Sequence, residues 1–342
     1  MNLPDHGLLD SAAHPARALA LPWLVADVGG TNARFGWVDA PGGPVQHVKT
    51  LPVAAHAGPG EAVAAYLQAL QAETGHPLPP PRRAAWALAT ALDGDWVELT
   101  NGHWRFSRSG LQQALGLSHL RLLNDFEALA LSLPRLQPHQ VRAHGALPRA
   151  TGVLAVIGPG TGLGVGGVVQ TGQGWKALPG EGGHATLAAT DDDEARVLAE
   201  VRRHFEHVSA ERLLSGIGLP MLHRAVSVVA GQSPRELTAP QIVEAGTQGR
   251  DALCRQTLDL FCALLGSFAG NVALTLGARG GVYIGGGIVP RLGEFFFQSR
   301  FREKFEAKGR FRAYLADIPT ALITDTLAAL SGSAASLEQA ED

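Results

Sequence analysis

The stretch VADVGGTNARFGWV, residues 25–38, decides the fold, because its order of residue types is that of a tight β-hairpin. A short apolar run leads into Asp27 and a turn that contains Gly29, Gly30 and Thr31, and a second apolar run follows. Glycine lets backbone N–H groups approach an anion without a Cβ in the way, and threonine adds a hydroxyl donor. The segment therefore predicts a hairpin whose turn holds phosphate.

A second stretch, VIGPGTGLGVGGVV over residues 156–169, repeats this pattern. One such hairpin is a weak signal, since Asp and Gly also serve turn geometry alone. Two of them predict a duplicated architecture that holds one polyphosphate from both sides. Gly162, Gly164 and Gly167 also match the dinucleotide fingerprint, but that fingerprint must open a helix and residues 165–170 have the pattern of a strand, so we interpret the match as accidental.

Length and composition bound the class of protein. A chain of 342 residues is typical of two domains, and 28 Lys and Arg against 31 Asp and Glu give no charge excess of the kind that marks a nucleic-acid or membrane partner. Cys254 and Cys262 lie in a predicted helix, roughly 12 Å apart, which is too far for a disulfide and fits a cytoplasmic location. The apolar run 258–276 is interrupted by polar residues, which favours a core helix over a membrane span.

Strands alternate with helical patterns along the chain, which indicates α/β domains. Residues 1–21 are predicted to be an N-terminal extension, and the polar, proline-bearing residues 134–148 a hinge. Helices are predicted over residues 191–204 and from Ser209 onward. Residues 291–312, rich in basic side chains and phenylalanine, have the composition of one amphipathic helix with its rings inward.

Two carboxylates stand where phosphoryl-transfer chemistry needs them. Asn124 and Asp125 follow the apolar run 120–123, and a carboxylate at the end of such a strand points into the crevice where α/β sheets bind ligands. A kinase needs that group to accept the proton of the attacking hydroxyl. The alternative is that Asp125 only caps the helix that begins at Phe126. Asp27, beside the first turn, is a candidate to hold Mg²⁺ through water, or serves turn geometry alone.

Three further segments carry candidate residues, and the first and the last of them admit two interpretations. Glu181 and His184 are separated by two glycines, which argues against a helical metal site and leaves hydroxyl recognition or a surface turn. Glu211 is a candidate acid in the first turn of a helix, where it would interact with the dipole. The glycines of residues 285–287 follow an apolar run and indicate close backbone approach to a flat ligand, or a strand-to-helix turn.

Together these segments resemble the bacterial glucokinase family, in the hexokinase and actin-like ATPase superfamily, over nearly the whole chain from about Leu24 and in the family's order. The resemblance implies an α/β fold of two domains, actin-like and ribonuclease H-like, with an interdomain cleft. It implies a small domain of residues 22–135, completed by a C-terminal helix of about 322–342, and a large domain of residues 136–321.

The resemblance also assigns roles to residues. Asp125 would be the general base, and Asp27 would hold Mg²⁺ through water. The sugar contacts it implies are Asn124, Glu181, His184, Glu211 and, on a looser match, Asn101. The residues it places at ATP are Asp27, Gly29, Gly30, Thr31, Asn32, Thr161, Gly162, Gly285 and Gly286.

The activity that the resemblance implies is ATP-dependent phosphorylation of D-glucose to glucose 6-phosphate. The alternatives are a kinase for another hexose or an N-acetylhexosamine, and a sugar-binding regulator without catalysis. The chain has Ala91 near the position where the family usually has proline, and two cysteines cannot supply the zinc motif of the related repressor and kinase branch. The family often forms dimers, so a homodimer is a candidate assembly.

Overall fold

A computed structural model describes residues 21–90 and 92–339. The predicted N-terminal extension, apart from Leu21, therefore lies outside the described residues, as do Ala91 and residues 340–342. The β-strands, in chain order, are β1 (Trp23–Val28), β2 (Asn32–Val38), β3 (Gln46–Pro52), β4 (Arg83–Leu88), β5 (Trp96–Glu98), β6 (Arg105–Ser107), β7 (His119–Asn124), β8 (Val141–His144), β9 (Val153–Pro159), β10 (Leu163–Thr171), β11 (Gly174–Leu178), β12 (Gly281–Ile284) and β13 (Thr320–Ile323). The α-helices are α1 (Pro59–Thr74), α2 (Arg108–Ala114), α3 (Asp125–Ser132), α4 (Asp192–Arg202), α5 (Leu219–Val229), α6 (Ala239–Thr247), α7 (Ala252–Leu276), α8 (Val289–Leu292), α9 (Glu294–Gln298), α10 (Phe301–Glu306), α11 (Arg312–Ala316) and α12 (Ala328–Glu338).

The first sheet has the strand order β3-β2-β1-β4-β7. β1, β2 and β3 are antiparallel neighbours, whereas β4 and β7 run parallel to β1. One face is covered by α1, where the rings of Phe35, Tyr66 and Trp86 pack with centroids 5.5 and 5.9 Å apart. Because β1, β4 and β7 are parallel, their carboxyl ends meet at one edge, and this edge carries Asp27 and Asn124.

The second sheet has the order β11-β10-β9-β12-β13-β8. Three antiparallel strands, β9 to β11, are followed by β12 and β13 parallel to β9, so its first five positions repeat the first sheet. The duplicated architecture predicted from the two glycine-rich hairpins is thereby confirmed. Residues 165–170 lie within β10, so the dinucleotide fingerprint is accidental, as predicted.

The C-terminal helix begins later than about residue 322, the predicted start. Residues 320–323 form β13 of the second sheet, and α12 begins at Ala328. From there α12 packs on α3 and against β1 and β4 of the first sheet. The approach is close, since a Cβ on Gly332 would lie 1.6 Å from the carbonyl oxygen of Ala128.

The predicted helix at Ser209 is wrong. Ser209 forms an isolated β-bridge with Thr186, residues 210–218 form bends and turns, and α5 begins only at Leu219. The reason is that later groups of this segment bond elsewhere: the N–H of Gly216 donates to Gly160 at 2.8 Å instead of to Arg212, and the carbonyl of Glu211 accepts from the Ser215 hydroxyl at 2.7 Å. The N–H of Glu211 donates to Gly183 at 2.9 Å. Glu211 is therefore a loop residue tied to a neighbouring loop.

Two other predictions of local structure need correction. The predicted hinge at 134–148 contains β8, which pairs with β13 and places Val141 and Ala143 against an apolar cluster. Residues 291–312 form the short helices α8 to α11 instead of one helix, because the chain turns at Gly293, where φ is 55°. The inward rings were predicted correctly for Phe296, which is fully buried.

α7 is long and apolar enough to cross a membrane, with a mean hydropathy of 1.5 in its most apolar window. In the structure 72% of that window is buried, and its residues form the centre of the second domain's core. Cys254 and Cys262 are both buried on this helix as free thiols. This is the packing of a core helix, as the interrupted apolar pattern predicted.

Candidate active site

Asn124 and Asp125 stand at the junction of β7 and α3. The Oδ1 atom of Asn124 accepts from the N–H of Phe126 at 2.9 Å, so Asn124 is the N-cap of α3. Asp125 lies in the first turn, and its Oδ1 accepts from the same N–H at 2.9 Å. The capping role considered for Asp125 therefore belongs to Asn124, and Asp125 lies at the wall of the cleft.

The pKa of the Asp125 carboxyl group is raised well above its ordinary value. Burial raises its pKa to about 6, the hydrogen bond from Phe126 N–H lowers it, and the charges of Asp27 and Glu181 raise it. A pKa close to the working pH lets a carboxylate accept a proton readily and release it afterwards. Its burial and raised pKa therefore make Asp125 a candidate for proton transfer in this cleft.

The first hairpin presents its turn to the same cleft. The N–H of Gly29 donates to Asn32, the first residue of β2, at 2.9 Å and closes the turn. A Cβ on Gly30 would lie 2.2 Å from the carbonyl oxygen of Asn101, so only glycine permits this approach. Gly29, Gly30, Thr31 and Asn101 all line the cleft.

Asp27 lies on the far side of this turn. Its Oδ2 accepts from Nη1 of Arg34 at 3.1 Å, which follows from their pairing across β1 and β2. Burial raises the pKa of Asp27, and Arg34 lowers it. Asp27 and Asp125 line an adjoining cavity of about 330 Å³ that also includes Gly285 and Gly286.

The second hairpin faces the first across the cleft. The N–H of Gly160 donates to Gly162 at 2.9 Å and shapes the turn that carries Thr161. Gly286 has a φ of 76°, and a Cβ there would lie 2.3 Å from the carbonyl oxygen of Pro159. The N–H of Gly285 donates to Ile157 at 2.8 Å. The structure thus places the glycines after β12 directly beside this turn.

Glu181 and His184 are the exposed pair of the next loop. Glu181 lines the cleft, and 82% of its side chain is exposed. His184 Nε2 lies 4.0 Å from Glu181 Oε2, but its ring lines a neighbouring cavity of about 460 Å³. Glu211 lines both cavities, so it separates His184 from the main cleft.

The cleft is a cavity of about 590 Å³ between the two sheets. The first domain contributes Gly29, Gly30, Thr31, Asn101, Asn124 and Asp125, and the second contributes Thr161, Gly162, Glu181, Glu211 and Gly286. Most of the predicted site residues therefore meet in one place. Asp27 and Gly285 lie in the adjoining cavity, His184 lies beside Glu211, and Asn32 contributes its carbonyl to the first turn.

Phe126 is a cleft residue that the sequence reasoning missed. Gly158 and Gly164 are paired across β9 and β10, and a Cβ on either would lie within 2.3 Å of the Phe126 ring. The two glycines form a notch that the ring fills, next to Asp125. The signal was present as two glycines in register on a hairpin, but only the fold shows which ring enters. Thr90 and Thr100, whose hydroxyls lie 3.2 Å apart, were missed as well.

The comparisons with known proteins agree with this geometry. A family model described as "Glucokinase" matches residues 24–340. A glucokinase of Aromatoleum aromaticum is 50% identical over 93% of this chain and 95% of its own. A glucokinase structure from an Antarctic psychrotroph is 38% identical, with a TM-score of 0.85 over 92% of this chain and 98% of that one.

The resemblance in fold extends to more distant kinases. A ROK hexokinase from Thermus thermophilus has a TM-score of 0.64 over 92% of this chain and 97% of its own, at 18% identity. At that identity the likeness concerns the fold alone. The actin-like α/β fold that the resemblance implied is thereby confirmed.

Proposed function

The chain belongs to the glucokinase family, and on that premise we propose that it transfers the γ-phosphoryl group of ATP to the 6-hydroxyl of D-glucose in the cleft between the two sheets. The observation that carries the proposal is Asp125, a half-buried carboxyl with a pKa of about 6 in a cavity shared with both glycine-rich turns. In this proposal Asp125 accepts the proton of the attacking hydroxyl, which then bonds to the γ-phosphorus as the bond to the ADP oxygen breaks.

The sugar would lie against the acidic wall of the cleft. Asn124, Glu181 and Glu211 line the cavity around Asp125 and offer amide and carboxylate groups to ring hydroxyls, with Asn101 at the first-domain side. His184 would reach the sugar from beside Glu211. An acceptor shielded from water discriminates strongly, because an analogue without the matching hydroxyl leaves that acceptor unpaired, and of these groups Asn124 and Glu211 are half-buried.

The donor would lie between the two hairpin turns. Gly29, Gly30 and Thr31 face Thr161 and Gly162 across the cavity, and backbone N–H groups in such turns suit phosphate oxygens. Gly285 and Gly286, beside the second turn, would contact the adenosine. Catalysis in this arrangement is mainly positioning and electrostatics, since both reactants are held at a fixed separation.

The residues present fit a magnesium ion. Mg²⁺ prefers oxygen ligands and commonly uses one or two carboxylates together with substrate phosphates and water. Asp27 and Asp125 line one cavity, so two carboxyl groups are available to such an ion at one place. Asp27 would hold the ion through water, and the ion would neutralise charge on the phosphates.

The experiment is a coupled ADP-release assay over a panel of hexoses and N-acetylhexosamines, on the wild type and the Asp125→Asn variant. Glucose should give the highest kcat/KM, and Asp125→Asn should lower turnover by roughly 10²–10⁴ while glucose affinity stays within about tenfold. The exposed Asp192→Asn variant is a matched control, expected to behave as wild type.

Each other result would contradict part of the proposal. Near-normal turnover of Asp125→Asn would remove Asp125 as the base. Preference for an acetamido sugar would assign a different substrate. Glucose binding without ADP release would identify a sugar-binding regulator instead of a kinase.

A further inference from the structure

Glu211 makes a contact that a sugar ligand alone does not need. Its Oε2 atom accepts from the N–H of Leu163 at 2.9 Å, and Leu163 is the first residue after the turn that carries Thr161 and Gly162. The packing is tight, because a Cβ on Gly162 would lie 2.4 Å from the same oxygen. The carboxylate therefore holds the turn of the second hairpin, at Thr161 and Gly162, while it also lines the cleft.

The loop that carries Glu211 is itself tied to both neighbouring segments. The N–H of Glu211 donates to Gly183, in the loop that carries Glu181 and His184, at 2.9 Å. The N–H of Gly216 donates to Gly160, in the phosphate turn, at 2.8 Å. Ser215 holds this loop in shape, because its hydroxyl donates to the carbonyl of Glu211 at 2.7 Å. Residues 209–216 thus join the two binding segments through a few short hydrogen bonds.

Glu181 provides the contrast. It lines the same cleft, but 82% of its side chain is exposed, and its carboxylate lies 4.0 Å from the ring of His184. Both carboxylates face the cavity, yet of these two only Glu211 bonds to the phosphate turn in the described part of the chain.

We propose that Glu211 is a positioning residue for the phosphoryl donor as well as a sugar ligand. One carboxylate oxygen holds the N–H of Leu163 and so fixes the turn at Thr161 and Gly162, while the other faces the sugar. The role of Glu211 as a sugar ligand rests on the proposed function. Its role in positioning the donor depends only on its contact with the turn. It predicts that nucleotide affinity depends on Glu211 even when no sugar is present.

The test measures the Kd of the non-hydrolysable analogue AMPPNP, without glucose, by calorimetry. Glu211→Ala should weaken AMPPNP binding about tenfold, because a charge-assisted hydrogen bond to the turn is lost. Glu211→Gln keeps an oxygen that can accept from Leu163 N–H and should restore affinity to within about twofold. Glu181→Ala is the matched control and should leave AMPPNP affinity unchanged. All three variants should bind glucose more weakly.

Amide hydrogen exchange gives a second readout that does not require activity. The N–H of Leu163 should exchange faster in Glu211→Ala and stay protected in Glu211→Gln and Glu181→Ala. If Glu211→Ala does not fold, Glu211→Asp decides, since it keeps the charge but withdraws it by one methylene from the turn. It too should weaken AMPPNP binding.

The inference is overturned if Glu211→Ala, or Glu211→Asp in its place, binds AMPPNP as tightly as the wild type, which would make Glu211 a sugar ligand only. It is also overturned if Glu181→Ala weakens AMPPNP binding equally, since the loss of affinity would then follow from the loss of a negative charge anywhere in the cleft. Failure of the proposed function has a different signature, because a wild type that releases no ADP with any hexose would still give a clear answer in the nucleotide experiment.

Discussion

The charges around Asp125 set the pH at which that residue can act as a base. Its pKa of about 6 results first from burial and then from the neighbouring carboxylates of Asp27 and Glu181. The base must be ionised to accept a proton, so kcat/KM for glucose should fall as pH drops through about 6. A rate profile between pH 5 and pH 8 measures this limb. A profile flat down to pH 5 would contradict the assignment.

Glu181→Gln should move this limb to lower pH. Glu181 raises the pKa of Asp125, so removing its charge leaves Asp125 ionised at a lower pH. Glucose affinity should fall as well, but the position of the limb is independent of that loss. Glu236→Gln, at a side chain that is 93% exposed, is the control. A limb that stays in place or moves to higher pH would show that Glu181 does not act on Asp125.

Asp125→Asn should stabilise the unliganded protein while it removes activity. The folded-state pKa of about 6 exceeds the ordinary 3.8, so the ionised carboxylate costs free energy that is fully present above about pH 6 and absent below about pH 4. Asparagine keeps an oxygen to accept from Phe126 N–H. Urea unfolding at pH 8 should show a gain of up to about 3 kcal/mol that shrinks toward pH 4. A variant less stable than wild type at pH 8 would refute this reasoning.

At the scale of elements, α3 packs on the β9–β10 hairpin, and the ring of Phe126 enters that hairpin. Phe126, next to Asp125, occupies the notch made by Gly158 and Gly164. The hairpin belongs to the second sheet, whereas α3 follows a strand of the first. The ring therefore constrains how Asp125 stands relative to the turn of the second hairpin.

Gly164→Ala should disturb this contact. The new Cβ would lie 2.0 Å from the Phe126 ring, so the ring and Asp125 beside it must move. A displacement of about 1 Å in a reacting group can cost roughly 10²-fold in rate, so kcat should fall by about that factor. Gly172→Ala, just after β10, adds a Cβ that meets nothing within 4 Å and should keep the wild-type kcat. Equal kcat in both variants would mean that the notch does not position the base.

What the sequence predicted correctly at this scale was local. The two hairpins, the strand before Asn124 and the core helix α7 all follow from residue patterns within a few positions. The prediction of a helix at Ser209 failed because the N–H of Gly216 bonds to Gly160 in a distant segment, which no local pattern reveals. The bond from Leu163 N–H to Glu211 could not be predicted for the same reason, since a backbone donor is the same in every non-proline residue.

At the scale of the whole molecule, α12 connects the two domains. It follows β13 of the second sheet and then packs on α3, β1 and β4 of the first. Near its end, Arg135 Nη1 donates to Glu338 at 3.0 Å, and Gln339 Nε2 donates to the carbonyl of Trp175 in β11 at 2.6 Å. α12 and Gln339 thus contact both sheets and support the helix that carries Asp125.

Gly332→Ala tests this connection, because we expect it to lower the stability of the protein, whereas glycine-to-alanine changes inside helices usually raise stability. Alanine in a helix interior normally stabilises by about 1 kcal/mol relative to glycine. Here the Cβ would lie 1.6 Å from the carbonyl oxygen of Ala128, so α12 must move away from α3, and overpacking of this kind costs about 1–3 kcal/mol. The urea midpoint and kcat should both fall, whereas Ser331→Ala, one residue earlier and half-buried, should change neither. A Gly332→Ala variant at least as stable as wild type would show that α12 can shift relative to α3 at no cost in stability. In that case α12 would not set the position of Asp125.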